Sequence, residues 1–404
     1  MNRRFAALGC ALALALAAPA SAATGTKAAP PPPPYAGVYQ PRGVDEIGMW
    51  REDDEQERAL INSPVLIRDE ALTAYVKGVL CDTVGKDRCA ATRVYILREP
   101  SFNATMSPNG TMRVYSGLLL RVRSEAELAA VLGHEFGHFE QRHTLAEFKA
   151  HRTGTDLAQW AMVLASMSNS YAVNRSFNDL QLSIYGGFYR FDRDQEREAD
   201  LVGIGYLNTS ALQPQAASRV WQNVMGEIQA SAVSRGLSKP RFNAIAFTAT
   251  HPPHAERAAY LAELAVPDGA SRDDGAVRYR TAMAKWMPVF LDDQIKLHDF
   301  GGSEYLIDAL AHDGWTAPLW QARGELFRAQ GAQRDLVHAA EFYQKALALD
   351  PTLADSYRGL GLSLVKTGRA TEGKVALERY MALKPGAADA TMIGMVVASL
   401  GEKQ

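Results

Sequence analysis

The sequence predicts an α+β fold: a mostly helical domain with a small β-sheet, followed by an all-α solenoid of helix pairs. Three patterns predict it. Apolar residues recur at helical spacing along most of the chain. Two short segments, Arg93–Leu97 and Met112–Tyr115, have the composition of strands instead. Near the C-terminus, similar residues return at a period of about 34, which is typical of stacked helix pairs.

Size and composition limit the class of protein. The 404 residues are enough for two domains, and 47% hydrophobic with 22% charged residues is typical of a globular protein. The formal net charge of −2 argues against nucleic acid or an anionic membrane surface as the main partner. Beyond the N-terminal segment, no stretch of the sequence reaches the ~18 apolar residues that a transmembrane helix needs.

Residues 1–22 have the parts of a cleavable signal peptide: a basic start, an apolar run and a small-residue cleavage site (Arg3–Arg4, Phe5–Ala18 and Ala20–Ala22). Cys10 lies too early in the apolar run for a lipoprotein cleavage site, so lipidation is not favoured. The mature protein is therefore expected in the bacterial periplasm or outside the cell, without a transmembrane segment.

The mature chain is expected to begin with a linker and to carry one pair of cysteines. Residues 23–44 include five consecutive prolines, Pro30–Pro34, which favour a stiff polyproline tether. After signal removal only Cys81 and Cys89 remain. In an oxidising compartment a close, even pair favours a local disulfide, with two free thiols as the alternative.

The first part of the folded chain is predicted to contain two helices and the small sheet. Asp45–Ile61 and Ile67–Val84 have helical periodicity. Ser107–Gly110, with Pro, Asn and Gly together, is a strong turn between the two predicted strands. We expect the segment Ser101–Met106 at the exposed edge of the sheet.

A metal-binding pattern follows the strands. His134 and His138 are four residues apart, so they share one helix face and can hold one Zn²⁺ through neutral imidazoles. Glu135 lies beside them and can take a proton from water. Ser124 and Glu127 form a capping box that starts this helix.

Two glycines in the same helix also require an explanation. Gly133 and Gly137 each cost about 1 kcal/mol relative to alanine inside a helix. We expect another backbone, or the metal site itself, to approach closely at these positions.

A third ligand is available on a later helix that opens at Asp192. Glu196 and Asp200 are four residues apart and lie on one face. Glu196 can supply an oxygen ligand, and three protein ligands leave a position for water, as in catalytic zinc sites. Asp200 can accept a hydrogen bond from the other nitrogen of a ligand histidine. The alternative is an ordinary solvated charged face.

Together these residues resemble the metallopeptidase family of HtpX and the CAAX prenyl proteases, and its soluble, periplasmic BepA-like branch in layout. The resemblance covers residues 45–265 and depends on several short motifs (His134–His138, Arg193–Asp200, Asn103–Ala104, Gly117–Leu119, Glu127–Val131 and Thr250–Pro253 with Arg257). It implies a gluzincin endopeptidase with one zinc per chain. The implied ligands are His134, His138 and Glu196, with Glu135 as the base. Asp192 replaces a serine common in the family, and either residue can cap a helix.

Four further residues lie in or near these motifs. His251 and Arg257 are candidates for the donor that stabilises the oxyanion of the tetrahedral intermediate, and His251 is alternatively an inhibitory fourth ligand. His143 and His151 are expected to be surface residues. The apolar stretch Leu157–Met167 is predicted to be a buried helix, with an adaptable lid or a surface that binds apolar clients as the alternative.

The C-terminal region resembles tetratricopeptide repeats. The window Thr352–Pro385 spans one period, and a preceding unit has similar residues, including Gly324, Tyr343 and Pro351. Lys285–His312 is expected to be a degenerate earlier pair. Stacked pairs form a groove for binding proteins, and a plain helical bundle is the alternative.

The predicted organisation is a signal peptide (1–22), a linker (23–44), a zincin-type metallopeptidase domain (45–270) and a repeat domain (271–404). The resemblance implies an endopeptidase that acts on misfolded or stalled exported and outer-membrane proteins. The repeats would bind clients or the outer-membrane assembly machinery. The edge segment of the sheet can pair with an extended substrate, with an ordinary strand as the alternative. The alternatives are a chaperone-like assembly factor with a latent zinc site and a zinc aminopeptidase.

Overall fold

The computed structural model describes residues 33–35, 39–153, 192–242 and 254–401. The first part contains α1 (Gly43–Ile61), α2 (Glu70–Val84), α3 (Lys86–Cys89), β1 (Arg93–Leu97), β2 (Ala104–Met106), β3 (Thr111–Tyr115), α4 (Ser116–Arg121), α5 (Glu125–Gln141) and α6 (143–153). It continues with α7 (192–209), α8 (Ala216–Ser234), α9 (His254–Leu264) and a 3₁₀ turn (Pro267–Ser271). The predicted α+β class is confirmed.

The C-terminal part is a series of helices. They are α10 (Ala276–Met283), α11 (Met287–Ile295), α12 (Phe300–Leu310), α13 (Ala317–Gln330), α14 (Gln333–Leu349), α15 (Ala354–Lys366), α16 (Ala370–Leu383) and α17 (Ala390–Gly401). Consecutive helices from α13 to α17 pack against each other. Within the described ranges, none of the helices combines the length and the apolar composition of a membrane span.

The sheet has three strands in the order β1-β3-β2. β1 and β3 are parallel, whereas β2 and β3 are antiparallel. The Ser107–Gly110 turn therefore joins β2 to β3, with Gly110 N donating to Ser107 O at 2.9 Å. The sequence predicted that this turn separates β1 from β3. The turn follows β2 instead, because this short strand forms inside the predicted edge segment, between β1 and the turn. β2 does lie at the edge of the sheet.

The second helix begins later than its periodicity predicted. Ile67 N donates to Ile96 O at 2.8 Å, so the residues before α2 run beside β1. Asp69 then caps the helix by accepting from Leu72 N at 3.1 Å. Cys81, near the end of α2, forms the favoured disulfide with Cys89 in α3.

Helix α5 crosses the core in close contact with α7. Leu128, Leu132 and Phe136 on one side of α5 are fully buried. On the α7 side, a Cβ added at Gly203 would lie 2.9 Å from His134 N. A Cβ at Gly137 would lie 3.1 Å from Ala199 O. The predicted close approach of another backbone is thus confirmed at Gly137, and at Gly133 an added Cβ would lie in ordinary contact, 3.6 Å from Gly203 O.

The apolar core does not break at residue 270. Tyr279 and Met283 on α10, and Phe290 on α11, are buried in the same cluster as α2, α5 and the sheet. That cluster continues to Leu326 on α13, and separate smaller clusters begin with α14. The proposed domain boundaries and the repeat assignment stay predictions.

Several predicted features lie outside the described residues. They are the signal peptide, most of the proline-rich linker, the apolar stretch Leu157–Met167 and His251.

Candidate metal centre

Helices α5 and α7 bring three candidate ligands together. His134 Nε2 and His138 Nε2 are 3.2 Å apart, as expected for residues one helical turn apart. Glu196 on α7 faces both of them, with its carboxylate oxygens 3.6 Å from His134 Nε2 and 3.4 Å from His138 Nε2. One ligand atom from each of the three residues falls within 4.8 Å of the other two.

The chemistry of this donor set fits a zinc ion. Two imidazole nitrogens and one carboxylate oxygen converge on one point, and Zn²⁺ readily accepts both ligand types. The Nδ1 atom of His134 lies 2.9 Å from Asp200 Oδ1, so Asp200 accepts its proton and leaves Nε2 free to coordinate. The expected contact between Asp200 and a ligand histidine is present.

Asp200 is held in the charged form by its surroundings. Burial alone would raise the pKa of this carboxyl group, but His134 and Arg257 beside it hold the pKa well below its usual range. Arg257 Nε and Nη2 donate to Asp200 at 2.8 and 2.6 Å, and Tyr260 OH donates to the same carboxylate. The Asp200 carboxylate therefore stays an acceptor at all ordinary pH values.

Arg257 lies against the ligands and is 3% exposed. Besides its two bonds to Asp200, it donates from Nη1 to Glu196 at 3.1 Å. Its guanidinium group also stacks 3.8 Å from the centroid of the Trp221 ring. Each of the three guanidinium nitrogens thus donates within this network, and the oxyanion-donor role of Arg257 stays a prediction. Its contacts are those of a positioning residue.

Glu135 lies in the same cleft, beside the ligands on α5. Burial raises the pKa of its carboxyl group above the ordinary value. A carboxylate with a raised pKa binds a proton more readily, which suits a general base that works near neutral pH.

His143, which was expected at the surface, is 4% exposed. Its Nδ1 is 2.9 Å from Nδ1 of His138, and its Nε2 is 3.2 Å from Glu198 Oε2. Burial, together with the neighbouring His138, lowers the pKa of His143 to about 4. The surface prediction for His143 was wrong, because its ring lies against His138 and Glu198 and is buried. The His151 side chain is 43% exposed, as expected.

A second group of potential ligands lies near the start of α7. Glu147 and His151 on α6, with Asp192 on α7, also bring one ligand atom each within 4.8 Å. The side chains of Glu147 and His151 are 47% and 43% exposed. This group is therefore more accessible to solvent than the group around Glu196, whose side chain is 11% exposed.

A cavity of about 520 Å³ opens over the candidate ligands. Residues 102–106, which include β2, form one side, and α8 and α9 contribute Trp221 and His254. The His254 and Trp221 rings stack at 5.1 Å. Asn103 and Thr105 on the β2 side bring polar groups to the cavity, so an extended peptide has a strand edge to follow.

Sequence reasoning missed four residues around the ligands: His143, Glu198, Trp221 and Tyr260. His143 follows His138 by five residues, which is off the helical face shared by the ligands, so periodicity gave no reason to choose it. Tyr260 is one turn after Arg257 on α9, and that spacing was available in the sequence. Nothing in the sequence marked Trp221 or Glu198.

Comparison with known proteins agrees with this geometry. Residues 68–265 match the model of peptidase family M48. The mitochondrial metalloendopeptidase OMA1 of Schizosaccharomyces pombe is 28% identical over 167 residues, which are 41% of this chain and 44% of that protein. OMA1 of Arabidopsis thaliana is 31% identical over 179 residues, or 44% of this chain and 32% of that protein.

A bacterial relative is also similar. The beta-barrel assembly-enhancing protease of Yersinia pestis is 29% identical over 189 residues, which are 45% of this chain and 37% of that protein. The matched parts thus cover less than half of each relative. Residues 68–265, which carry the His134, His138 and Glu196 cluster, are therefore a peptidase family M48 domain.

Proposed function

We propose that this protein is a zinc-dependent endopeptidase of the bacterial cell envelope. One observation carries the proposal: two histidines and a glutamate converge beside a half-buried glutamate, in a cleft bordered by a strand edge. The proposed ligands of the single zinc are His134, His138 and Glu196.

The chemistry divides between the ion and the chain. When bound, zinc supplies a Lewis acid that polarises the peptide carbonyl and makes water more acidic. Glu135 takes the proton from the attacking water and passes it to the leaving nitrogen, because its raised pKa favours holding that proton briefly. Asp200 and Arg257 hold His134 and Glu196 in place and keep their ligand atoms directed at one point.

Substrate recognition would use the backbone of the client. The outer edge of β2 borders the cavity and belongs to the last strand of the sheet. An extended peptide that pairs there would add a strand and cross the cleft beside the ligands. An unfolded segment takes this extended conformation readily, which favours misfolded or stalled clients.

The proposed setting is the periplasm, and the proposed clients are exported and outer-membrane proteins. The predicted signal peptide supports export, and one relative is named a beta-barrel assembly-enhancing protease. The helix pairs α13/α14 and α15/α16 would recruit clients or the assembly machinery as tetratricopeptide-like repeats. A chaperone-like assembly factor with a latent zinc site is the alternative function.

His251 and Arg257 complete the proposal in different ways. Arg257 is assigned to positioning, on the contacts given above. The proposed role of His251 as an oxyanion donor or as an inhibitory ligand still rests on its position in the sequence. His254 lines the cavity and is a second imidazole to test beside it.

The test compares the signal-less wild-type chain with Glu135→Gln. Wild type should contain one zinc per chain and cut an unfolded outer-membrane protein at internal sites. The variant should keep zinc and lose at least about 10²-fold in rate, as expected for removal of a general base. If Glu135→Gln still cleaves the client protein, the enzyme proposal is contradicted. If wild type binds the client without cleaving it, the chaperone alternative is supported. If wild type removes residues only from the N-terminus of the client, the protein is an aminopeptidase.

A further inference from the structure

The two candidate histidine ligands are held by different groups. His134 has a carboxylate as its direct neighbour, since its Nδ1 is 2.9 Å from Asp200 Oδ1. His138 has an imidazole instead, because its Nδ1 is 2.9 Å from Nδ1 of His143. The rings of His138 and His143 meet edge to face, with an interplanar angle of 79°.

The contact between His138 and His143 permits one arrangement of protons when Nε2 of His138 coordinates a metal. A neutral imidazole that coordinates through Nε2 carries its proton on Nδ1, so His138 must donate at Nδ1. His143 Nδ1 must then be the acceptor, which places the proton of His143 on Nε2. That nitrogen lies 3.2 Å from Glu198 Oε2, a carboxylate that can accept the proton.

We propose that His143 is a positioning residue for the metal site, which fixes the tautomer and ring orientation of His138 and is itself fixed by Glu198. This inference rests on the proposed function, in that His138 is taken as a zinc ligand. The relay runs from Glu198 through His143 to His138, and every donor in it has one acceptor.

The surroundings of His143 support a fixed role. The residue is 4% exposed, so water has little access to replace the imidazole as the partner of His138. Gln195 on α7 donates from Nε2 to the backbone oxygen of His143 at 3.2 Å, which holds the start of α6 against α7. Glu198 lies on the same helix as Gln195, and its side chain is 55% exposed.

The relay also gives the two ligands different electrostatic environments. Asp200 is buried at 4% exposure and places a full negative charge next to His134. The charge of Glu198 is partly solvated and one ring further from the metal position. An uncharged partner orients His138 without adding another carboxylate to a site that already contains Glu135, Glu196 and Asp200.

The test is a set of variants whose zinc dissociation constants are measured by competition with a chelator. His143→Leu removes the acceptor and should weaken zinc binding about 10- to 100-fold, the usual effect of losing an outer partner of a ligand. His143→Asn retains a carbonyl oxygen near the position of Nδ1 and should bind within about threefold of wild type. Glu198→Ala should weaken binding by about tenfold. Asp194→Ala, an exposed carboxylate on the same helix, is the control and should bind like wild type.

Thermal melting of the metal-free variants separates positioning from folding. His143→Leu and His143→Asn should melt within a few degrees of each other without metal, while their zinc affinities differ. If His143→Leu and His143→Asn lose zinc affinity equally, or if neither loses it, a hydrogen-bond acceptor at this position does not support zinc binding. Either result overturns the inference. If His143→Leu fails to fold, Glu198→Ala decides, and zinc binding equal to that of Asp194→Ala overturns the relay. If wild type itself binds no zinc, the proposed function fails and the inference fails with it.

Discussion

The contact between α5 and α7 can be tested at Gly203. Replacing this glycine with alanine would place a Cβ 2.9 Å from His134 N and 3.1 Å from His134 Cα. Both atoms belong to the backbone of α5 and cannot rotate away. Ordinary contact begins near 3.4 Å, so the two helices must separate by about 0.5 Å or distort.

Two opposing terms set the change in stability. Alanine in place of glycine inside a helix contributes about 0.8–1.0 kcal/mol. Overpacking of a close interface costs about 1–3 kcal/mol. The Gly203→Ala chain should therefore be destabilised by up to about 2 kcal/mol in the metal-free state.

Zinc binding should respond more sharply than stability does. Glu196 is on α7 and its two partners are on α5, so any separation of the helices pulls the ligand set apart. A separation of about 0.5 Å exceeds the ~0.2 Å tolerance of zinc–ligand distances, and we expect at least about a tenfold loss of zinc affinity. The measurements are urea unfolding of the metal-free protein and chelator competition for zinc.

Gly205 on the same helix provides the control. A Cβ added there has nothing within 4 Å, so Gly205→Ala should stabilise the chain by about 0.5–1 kcal/mol and leave zinc binding unchanged. The contrary result is a Gly203→Ala chain that is stabilised as much as Gly205→Ala and binds zinc like wild type. That result would refute the conclusion that close contact between α5 and α7 brings Glu196 to the histidines.

Three further outcomes follow from the fold. Reduction of the Cys81–Cys89 disulfide should lower the free energy of unfolding by about 2.5 kcal/mol, because this is the chain-entropy value for so short a loop. The measurement is unfolding in urea with and without reductant. Arg93 lowers the pKa of Glu57 from 4.5 to about 2, so Glu57 stabilises the fold above about pH 4.5 and loses that effect as the pH falls through 2. Because the Arg93 side chain is 44% exposed, we expect Glu57→Gln to cost about 1–2 kcal/mol at pH 7 and little at pH 2. A chain that ends at residue 270 should lack the near-ultraviolet circular dichroism of a packed core, whereas one that ends at residue 331 should retain it, since α10–α13 share the main apolar cluster.

Periodicity and spacing predicted those parts of the site that belong to single helices. The capping box at Ser124 fixed the start of α5, where its Oγ accepts from Glu127 N at 3.1 Å. The spacing of His134 and His138 then determined which face they share. Two glycines predicted a close neighbour, although not that the neighbour would be the helix that carries Glu196.

Relations between elements could not be predicted in the same way. The turn at Ser107–Gly110 was recognised correctly from its residues, but local chemistry does not state which strands it joins. The parallel pairing of β1 with β3 requires β2 to lie on the far side of β3, and β2 is only three residues long. Likewise, the sequence changes in character from about Asp274, and this change does not show that residues up to Leu326 belong to the main apolar cluster.

The contrast between Arg257 and His143 shows why the outer residues of a site need the structure. Both were judged from sequence by residue type: an arginine suggested a donor to the reacting atoms, and an isolated histidine suggested a surface position. The contacts support our proposal that both residues hold the ligands in place, because Arg257 bonds Asp200 and Glu196 while His143 contacts His138. A ligand position is constrained by its own helix and by an ion that needs particular donors, whereas a supporting position is constrained only by what lies opposite it in space.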